Sequence, residues 1–237
     1  MKNHYIVYIV IILQMISSII GAMIPYLFHL SENRKRELYQ LISGLMIGIS
    51  CFELIPESLQ IGNLLSTLWG MIVGIGIVVL IEVLTSKVCF FNSKLRNVII
   101  IVLSMGIHNL VEGLAIGSSL EYSFSLGISI LIVMFLHDIP ECIVVGASEI
   151  EGNSLKKAMI NGMIVGAFTV SGIILGIFIG SLSDFATSFS LGLSAGAMLY
   201  MTSVVLIPLS YQKKKSFFKN TSYFLLGVFL SIIASSL

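Results

Sequence analysis

Long apolar stretches broken by brief polar ones make up this chain, and the spacing of the breaks predicts its architecture. Apolar runs occupy residues 5–28, 39–60, 67–86, 98–117, 125–148, 158–181, 190–211 and 221–236. Each is near the ~20 residues that an α-helix needs to cross a hydrocarbon core of about 30 Å. The pattern predicts an all-α membrane protein, a bundle of eight transmembrane helices in one domain over residues 1–237. No polar interval is long enough for a soluble domain. The first run follows Lys2, as the apolar part of a signal peptide would. It exceeds the 7–15 residues of such a segment, however, and no small-residue cleavage site follows it, so a retained helix is expected.

The polar breaks test this count. Arg34, Lys35 and Arg36 follow the first run, and Lys87, Lys94 and Arg96 follow the third. Lys156 and Lys157 follow the fifth; Lys213, Lys214, Lys215 and Lys219 follow the seventh. Every Lys and Arg except Lys2 thus falls in alternate loops, and the loops after runs two, four and six have none. Positive loops stay on the cytoplasmic side, which predicts that both termini are extracytoplasmic. A miscounted helix would scramble the alternation.

Composition narrows the class. The chain is 57% hydrophobic and 11% charged, against about 25% charged residues in soluble domains. A net charge of +1 says nothing about nucleic acid, but no basic face is large enough to bind it, so none is expected as a partner. Cys51, Cys89 and Cys142 are scattered and odd in number, and read as small buried hydrophobes rather than a disulfide or a CxxC site. Many of the 21 glycines are spaced by four, as in Gly44/Gly48, Gly70/Gly74, Gly113/Gly117, Gly172/Gly176/Gly180 and Gly192/Gly196. Small residues at that spacing let helices approach closely. Tight packing and smooth surfaces between two moving sub-bundles are both compatible with them.

A few ionisable groups remain at membrane depth: Glu53, Glu57, Glu82, His108, Glu112, His137, Asp138 and Glu141. A charge at the bilayer centre costs about 2.5–3.5 kcal/mol even on the lenient insertion scale, so such groups face a partner or an aqueous path. Five of them lie near the midpoints of runs four and five, in His108-Asn109-Leu110-Val111-Glu112 and His137-Asp138-Ile139-Pro140-Glu141. At about 100° per residue, a histidine and the glutamate four positions on stand roughly 40° apart, with the intervening Asn or Asp roughly 60° beyond the glutamate. Two helices presenting this face to each other would form a cage of imidazole nitrogens and carboxylate oxygens suited to a divalent metal. One membrane histidine alone reads as a helix–helix hydrogen bond; the repeated pattern without a compensating Lys or Arg points to an external cation. Glu53 is deep and precedes Pro56, which frees a carbonyl about one turn earlier, and it is a candidate for the metal path. Glu57 and Glu82 lie near helix ends where water can reach them. Met46, Met105 and Met134 could add thioethers, although packing accounts for them as well.

The stretches HNLVEGLAIG (His108 to Gly117) and HDIPECIVVG (His137 to Gly146) resemble the fourth and fifth helices of the ZIP family of divalent-metal transporters. GLMIGISCFELIPES (Gly44 to Ser58) is similar to that family's second helix, and GLSAGAMLYMTSVVLIP (Gly192 to Pro208) to its seventh. The resemblance implies uptake of Zn2+, or of Fe2+, Mn2+ or Cd2+, into the cytoplasm without nucleotide hydrolysis. It implies a main site of His108, Glu112 and Glu141, and an adjoining one of Asn109 and Asp138 bridged by the glutamates. His137 takes the matching place in the fifth helix. It also implies a transport bundle moving against a scaffold, and a homodimer. The chain departs from the pattern at Val111, where a proline is common, and at Cys142, where a glycine is usual. Residues 161–183 lack the acid common in the sixth helix, and Val204, Val205 and Leu209 replace polar residues of the seventh.

A metal transporter is the expectation, with the divalent ion as substrate rather than a resident cofactor and the lipid bilayer as surroundings. Short loops and the lack of a targeting extension point to a bacterial-type plasma membrane. An intramembrane metalloenzyme is the first alternative, but the H-E-x-x-H of zinc proteases is absent. A non-transporting metal sensor is the second.

Overall fold

The computed structural model describes residues 4–28, 31–86, 93–149, 154–210 and 217–235. Among them there is no strand. The helices are α1 (His4–Phe28), α2 (Glu32–Ile49), α3 (Ile55–Ile61), α4 (Leu64–Ser86), α5 (Ser93–Tyr122), α6 (Phe124–Glu149), α7 (Leu155–Gly180), α8 (Asp184–Tyr200), α9 (Ile207–Ser210) and α10 (Phe217–Ala234). A π-helical segment, Ser50–Leu54, joins α2 to α3, and another, Met201–Leu206, joins α8 to α9. Six continuous rods among the described residues are long and apolar enough to cross a membrane: Val7–Phe28, Asn33–Ile61, Leu64–Leu84, Phe124–Ala147, Leu155–Gly180 and Asp184–Leu206. The remaining rods are α5, of 30 residues, and α10, whose apolar part is the shorter Thr221–Ala234.

The helices begin earlier than the apolar runs do. Arg34, Lys35 and Arg36 form the first turns of α2 rather than a loop, started by Ser31, whose side chain accepts from the Arg34 N–H. Ser154 and Ser183 cap α7 and α8 in the same way. A hydroxyl at this position satisfies an N–H that has no partner within the helix. Asn63 does so for α4, accepting from the Leu65 and Ser66 N–H groups at 2.9 and 3.0 Å. Only Gly62 and Asn63 separate α3 from α4, and Ser123 alone separates α5 from α6.

Both π segments end two residues before a proline, Pro56 and Pro208. A proline inside a helix has no N–H to donate and its ring clashes with the carbonyl four residues back. The turn widens in response: the Ile55 N–H bonds to the Ser50 carbonyl, and the Ile207 N–H to the Thr202 carbonyl, each spanning five residues.

Packing divides the helices into two groups. In one, α5 lies along α7, α1 along α6 and α7, and α5 along α6; in the other, α2 pairs with α10, and α4 and α3 with α8, while α5 also packs on α8 across the two. The glycines explain the pairing. A Cβ on Gly113 would meet the Thr169 carbonyl, and one on Gly172 the Leu110 carbonyl, which holds α5 against α7. Gly21 and Gly146 do the same for α1 and α6, Gly44 and Gly227 for α2 and α10, and Gly74 and Gly196 for α4 and α8. These close approaches lie within a group, not between the groups. Glycines here serve close helix–helix packing, the first of the two readings of their spacing.

Polarity is arranged inside out. Ile9, Ile12, Ile72, Leu80, Ile174, Phe178 and Phe229 are exposed, whereas Gln14, Ser17, His108, Glu112, Asp138 and Glu141 are buried. An apolar surface around a polar interior is what a lipid surrounding demands. Cys142 is buried as expected, but Cys51 is exposed, because the widened turn at Ser50–Leu54 presents it outward; Cys89 lies outside the described residues.

Candidate metal centre

Helices α5 and α6 form a tight antiparallel pair, and their middle turns carry the two repeated motifs. One glutamate oxygen links them: Glu112 Oε1 lies 2.8 Å from His108 Nε2 on its own helix and 3.1 Å from His137 Nε2 on α6. Glu141 answers from the other side, with Oε1 3.4 Å from His108 Nε2 and Oε2 3.6 Å from His137 Nε2. Asp138 Oδ1 is 3.9 Å from His137 Nε2. All five side chains are essentially sealed from the surface.

The fit to a divalent ion can be judged from these separations. Ligands held about 2.0–2.2 Å from a zinc ion stand about 3.3–3.6 Å apart across a tetrahedron. Single ligand atoms from Glu112, His137, Asp138 and Glu141 all lie within 4.8 Å of one another. A small contraction brings them to bonding distance. His137 Nδ1 is 3.3 Å from the Val133 carbonyl. A proton on Nδ1, donated there, would leave the Nε2 lone pair for a metal, whereas the 3.1 Å contact with Glu112 Oε1 needs the proton on Nε2.

The hydrogen-bonding account of the cluster is incomplete. Glu112 Oε2, Asp138 Oδ1, both oxygens of Glu141 and His108 Nδ1 are buried without a hydrogen-bond partner, and His108 Nε2 has its 2.8 Å ion-pair approach to Glu112 Oε1. Buried polar atoms normally have partners, and a cation among these oxygens would supply one.

The other candidate residues are placed differently. Asn109 is buried beside His108, but neither atom of its amide is hydrogen-bonded. Glu53, turned inward by the π segment, accepts a 3.0 Å hydrogen bond from Ser129 Oγ of α6, and its second oxygen has no such partner. Ser129 precedes His137 by eight residues, about 12 Å along the helix, so Glu53 stands apart from the cluster. Glu57 is half-buried one turn further on, and exposed Glu82 accepts from Tyr200 Oη at 2.7 Å. Met46, Met105 and Met134 lie in the hydrophobic core.

Ionisable groups alone do not reveal every contact. Ser17 Oγ of α1 lies 3.2 Å from Asp138 Oδ2 as its donor, and Gln14 is buried one turn away. The signal in the sequence is the spacing of Gln14, Ser17, Ser18 and Gly21, a polar and small stripe at helical period on an otherwise apolar helix.

Residues 88–234, more than half of the chain and including both motifs, match the ZIP zinc transporter family. The zinc transporter zipt-7.2 of Caenorhabditis elegans is 34% identical over 131 residues, which are 52% of this chain and 28% of that protein. Zinc transporter ZIP10 of Danio rerio is 28% identical over 109 residues, 46% of this chain and 13% of that protein. Zinc transporter ZIP6 of Homo sapiens is 28% identical over 109 residues, with 46% and 14% covered. The chain spans less than a third of the length of these relatives. With its paired motifs and the extent of that match, the chain belongs to the ZIP zinc transporter family.

Proposed function

We propose that the protein carries a divalent transition-metal ion, Zn2+ foremost and Fe2+, Mn2+ or Cd2+ besides, across a plasma membrane into the cytoplasm. One observation carries this reading: the deeply buried carboxylates of α5 and α6 gather beside the imidazoles with most of their oxygens unpartnered. Leaving such groups in an apolar interior is costly unless an ion compensates them. The substrate itself supplies the missing charge. His108, Glu112, His137, Asp138 and Glu141 hold it, with Asn109 beside them. Imidazole with carboxylate suits zinc, but affinity order alone gives little selectivity among neighbouring metals.

Eight crossings with the start of α1 and the end of α10 outside are part of the proposal, supported by the alternation of basic residues. In that orientation the N-terminal end of α6 faces outward. Glu53 therefore sits on the outer approach, where its free oxygen can take an arriving ion before the cluster does. The group of α1, α5, α6 and α7 carries both motifs and moves as a unit against α2, α4, α8 and α10. A homodimer belongs to the same reading and is checked by crosslinking in the membrane.

Radiolabelled zinc uptake into vesicles containing the purified protein tests the function. Glu112→Ala and Glu141→Ala are expected to abolish uptake while the protein still inserts and folds. Wild-type uptake in both variants would refute the assignment. Zinc binding without any uptake by the wild type would identify a sensor instead.

A further inference from the structure

Helix α1 carries none of the charged residues of the cluster, yet it is placed against it. A Cβ on Gly21 would meet the Ile139 carbonyl and Cys142 Cβ, and one on Gly146 would meet the Ala22 carbonyl. Those two glycines bring the backbones of α1 and α6 together beside the second motif. One turn before Gly21, Ser17 Oγ has three acceptors in reach. They are the Gln14 carbonyl at 2.8 Å, Gln14 Oε1 at 3.5 Å and Asp138 Oδ2 at 3.2 Å. A serine inside a helix needs only the first of these to be satisfied. Gln14 is fully buried and its Nε2 has no hydrogen-bond partner. A leucine would fill the same space without stranding a polar atom.

We infer that α1 is part of the ion-binding machinery: Ser17 positions Asp138, and Gln14 offers a neutral amide oxygen to the divalent cation held there. The inference rests on the metal-site reading above. When its single hydrogen turns from the Gln14 carbonyl to Asp138 Oδ2, the Ser17 hydroxyl holds that oxygen and leaves Oδ1, the one without a partner, toward His137. A half-turn of the Gln14 amide exchanges its nitrogen for its oxygen without moving the rest of the side chain. The third helix beside the site, α7, has no acid in residues 161–183, and it meets α1 at Ser18 through Gly162 and Gly166. Neither α1 nor α7 adds a carboxylate to the cluster, so α1 has only neutral oxygen to offer an ion there.

The test is the concentration dependence of zinc uptake by vesicles containing the full chain, with KM and maximal rate separated, alongside thermal melting of each variant. Residues that orient a metal ligand change affinity about 10–100-fold when removed. Ser17→Ala and Gln14→Leu are each expected to raise KM about tenfold, at the low end of that range, with maximal rate and melting temperature little changed. Ser17→Thr, which keeps the hydroxyl, restores the KM. An unchanged KM in both Ser17→Ala and Gln14→Leu would overturn the inference, as would a loss confined to yield or melting temperature. A KM that stays raised in Ser17→Thr assigns the Ser17 effect to packing and overturns that half. Glu112→Ala separates the two levels: wild-type uptake there sinks the metal site itself, whereas loss of uptake beside an unaltered Ser17→Ala sinks only the role of α1.

Discussion

Glu112 joins the two motif helices through one oxygen, 2.8 and 3.1 Å from their imidazoles, while its other oxygen has no partner. Glu112→Gln keeps the shape and removes the charge, so it separates packing from ion binding. The expected outcome is at least a tenfold fall in zinc uptake, the scale on which metal-site substitutions act, with the protein still monodisperse and folded in detergent. Uptake within twofold of wild type would show that the carboxylate serves only to join α5 and α6. Ser129 tests a milder dependence. Its hydroxyl is a donor to Glu53 Oε1, and its loss leaves that buried oxygen without this partner, at a cost of about 1–3 kcal/mol. Ser129→Ala should therefore lower the melting temperature and raise the KM for zinc, while the maximal rate is kept. No change in either would place Glu53 outside the path.

Among the elements, the paired π segments and the glycine contacts have different consequences. Replacing Pro56 with alanine returns an N–H to α3 and removes the ring that clashes with the Phe52 carbonyl. The widened turn can then close into an ordinary helix, which rotates Glu53 relative to α6. Uptake is expected to fall while melting temperature holds or rises; full uptake would show that the π geometry has no bearing on transport. Glycine substitutions give a sharper contrast. A side chain at Gly172 would run into the Leu110 carbonyl of α5, whereas nothing lies within 4 Å of a Cβ at Gly76. Gly172→Leu should abolish folded protein, and Gly76→Ala should be tolerated, with a helix gain of about 0.5–1 kcal/mol. Comparable melting curves for the two would mean that the α5–α7 contact is not as close as described.

The whole molecule poses the question of which surfaces move. Ser58 of α3 and Ser188 of α8 exchange hydrogen bonds, with their hydroxyl oxygens 3.2 Å apart, inside the group that lacks the motifs. A disulfide made by Ser58→Cys with Ser188→Cys should leave zinc uptake intact, because both helices stay together. Loss of uptake on oxidation, recovered on reduction, would place motion inside that group. The orientation is checked by an impermeant thiol reagent on a cysteine-free background. Ser183→Cys should react from outside and Lys156→Cys should not, and the reverse result would invert the topology. Much of this was legible in the chain because insertion into lipid acts on local quantities: the length of an apolar run, the side on which lysines fall, the period that puts His108 beside Glu112. The all-helical architecture and the two candidate motifs follow from those alone. Contacts between helices far apart in sequence carry no such local mark. Gly113 reads the same whichever helix it meets, and Cys51 reads as buried until a widened turn exposes it. Ser17 is an ordinary membrane serine until α1 is set against Asp138, 121 residues later. Those pairings depend on the shape of two surfaces at once, so only the tertiary structure could decide them.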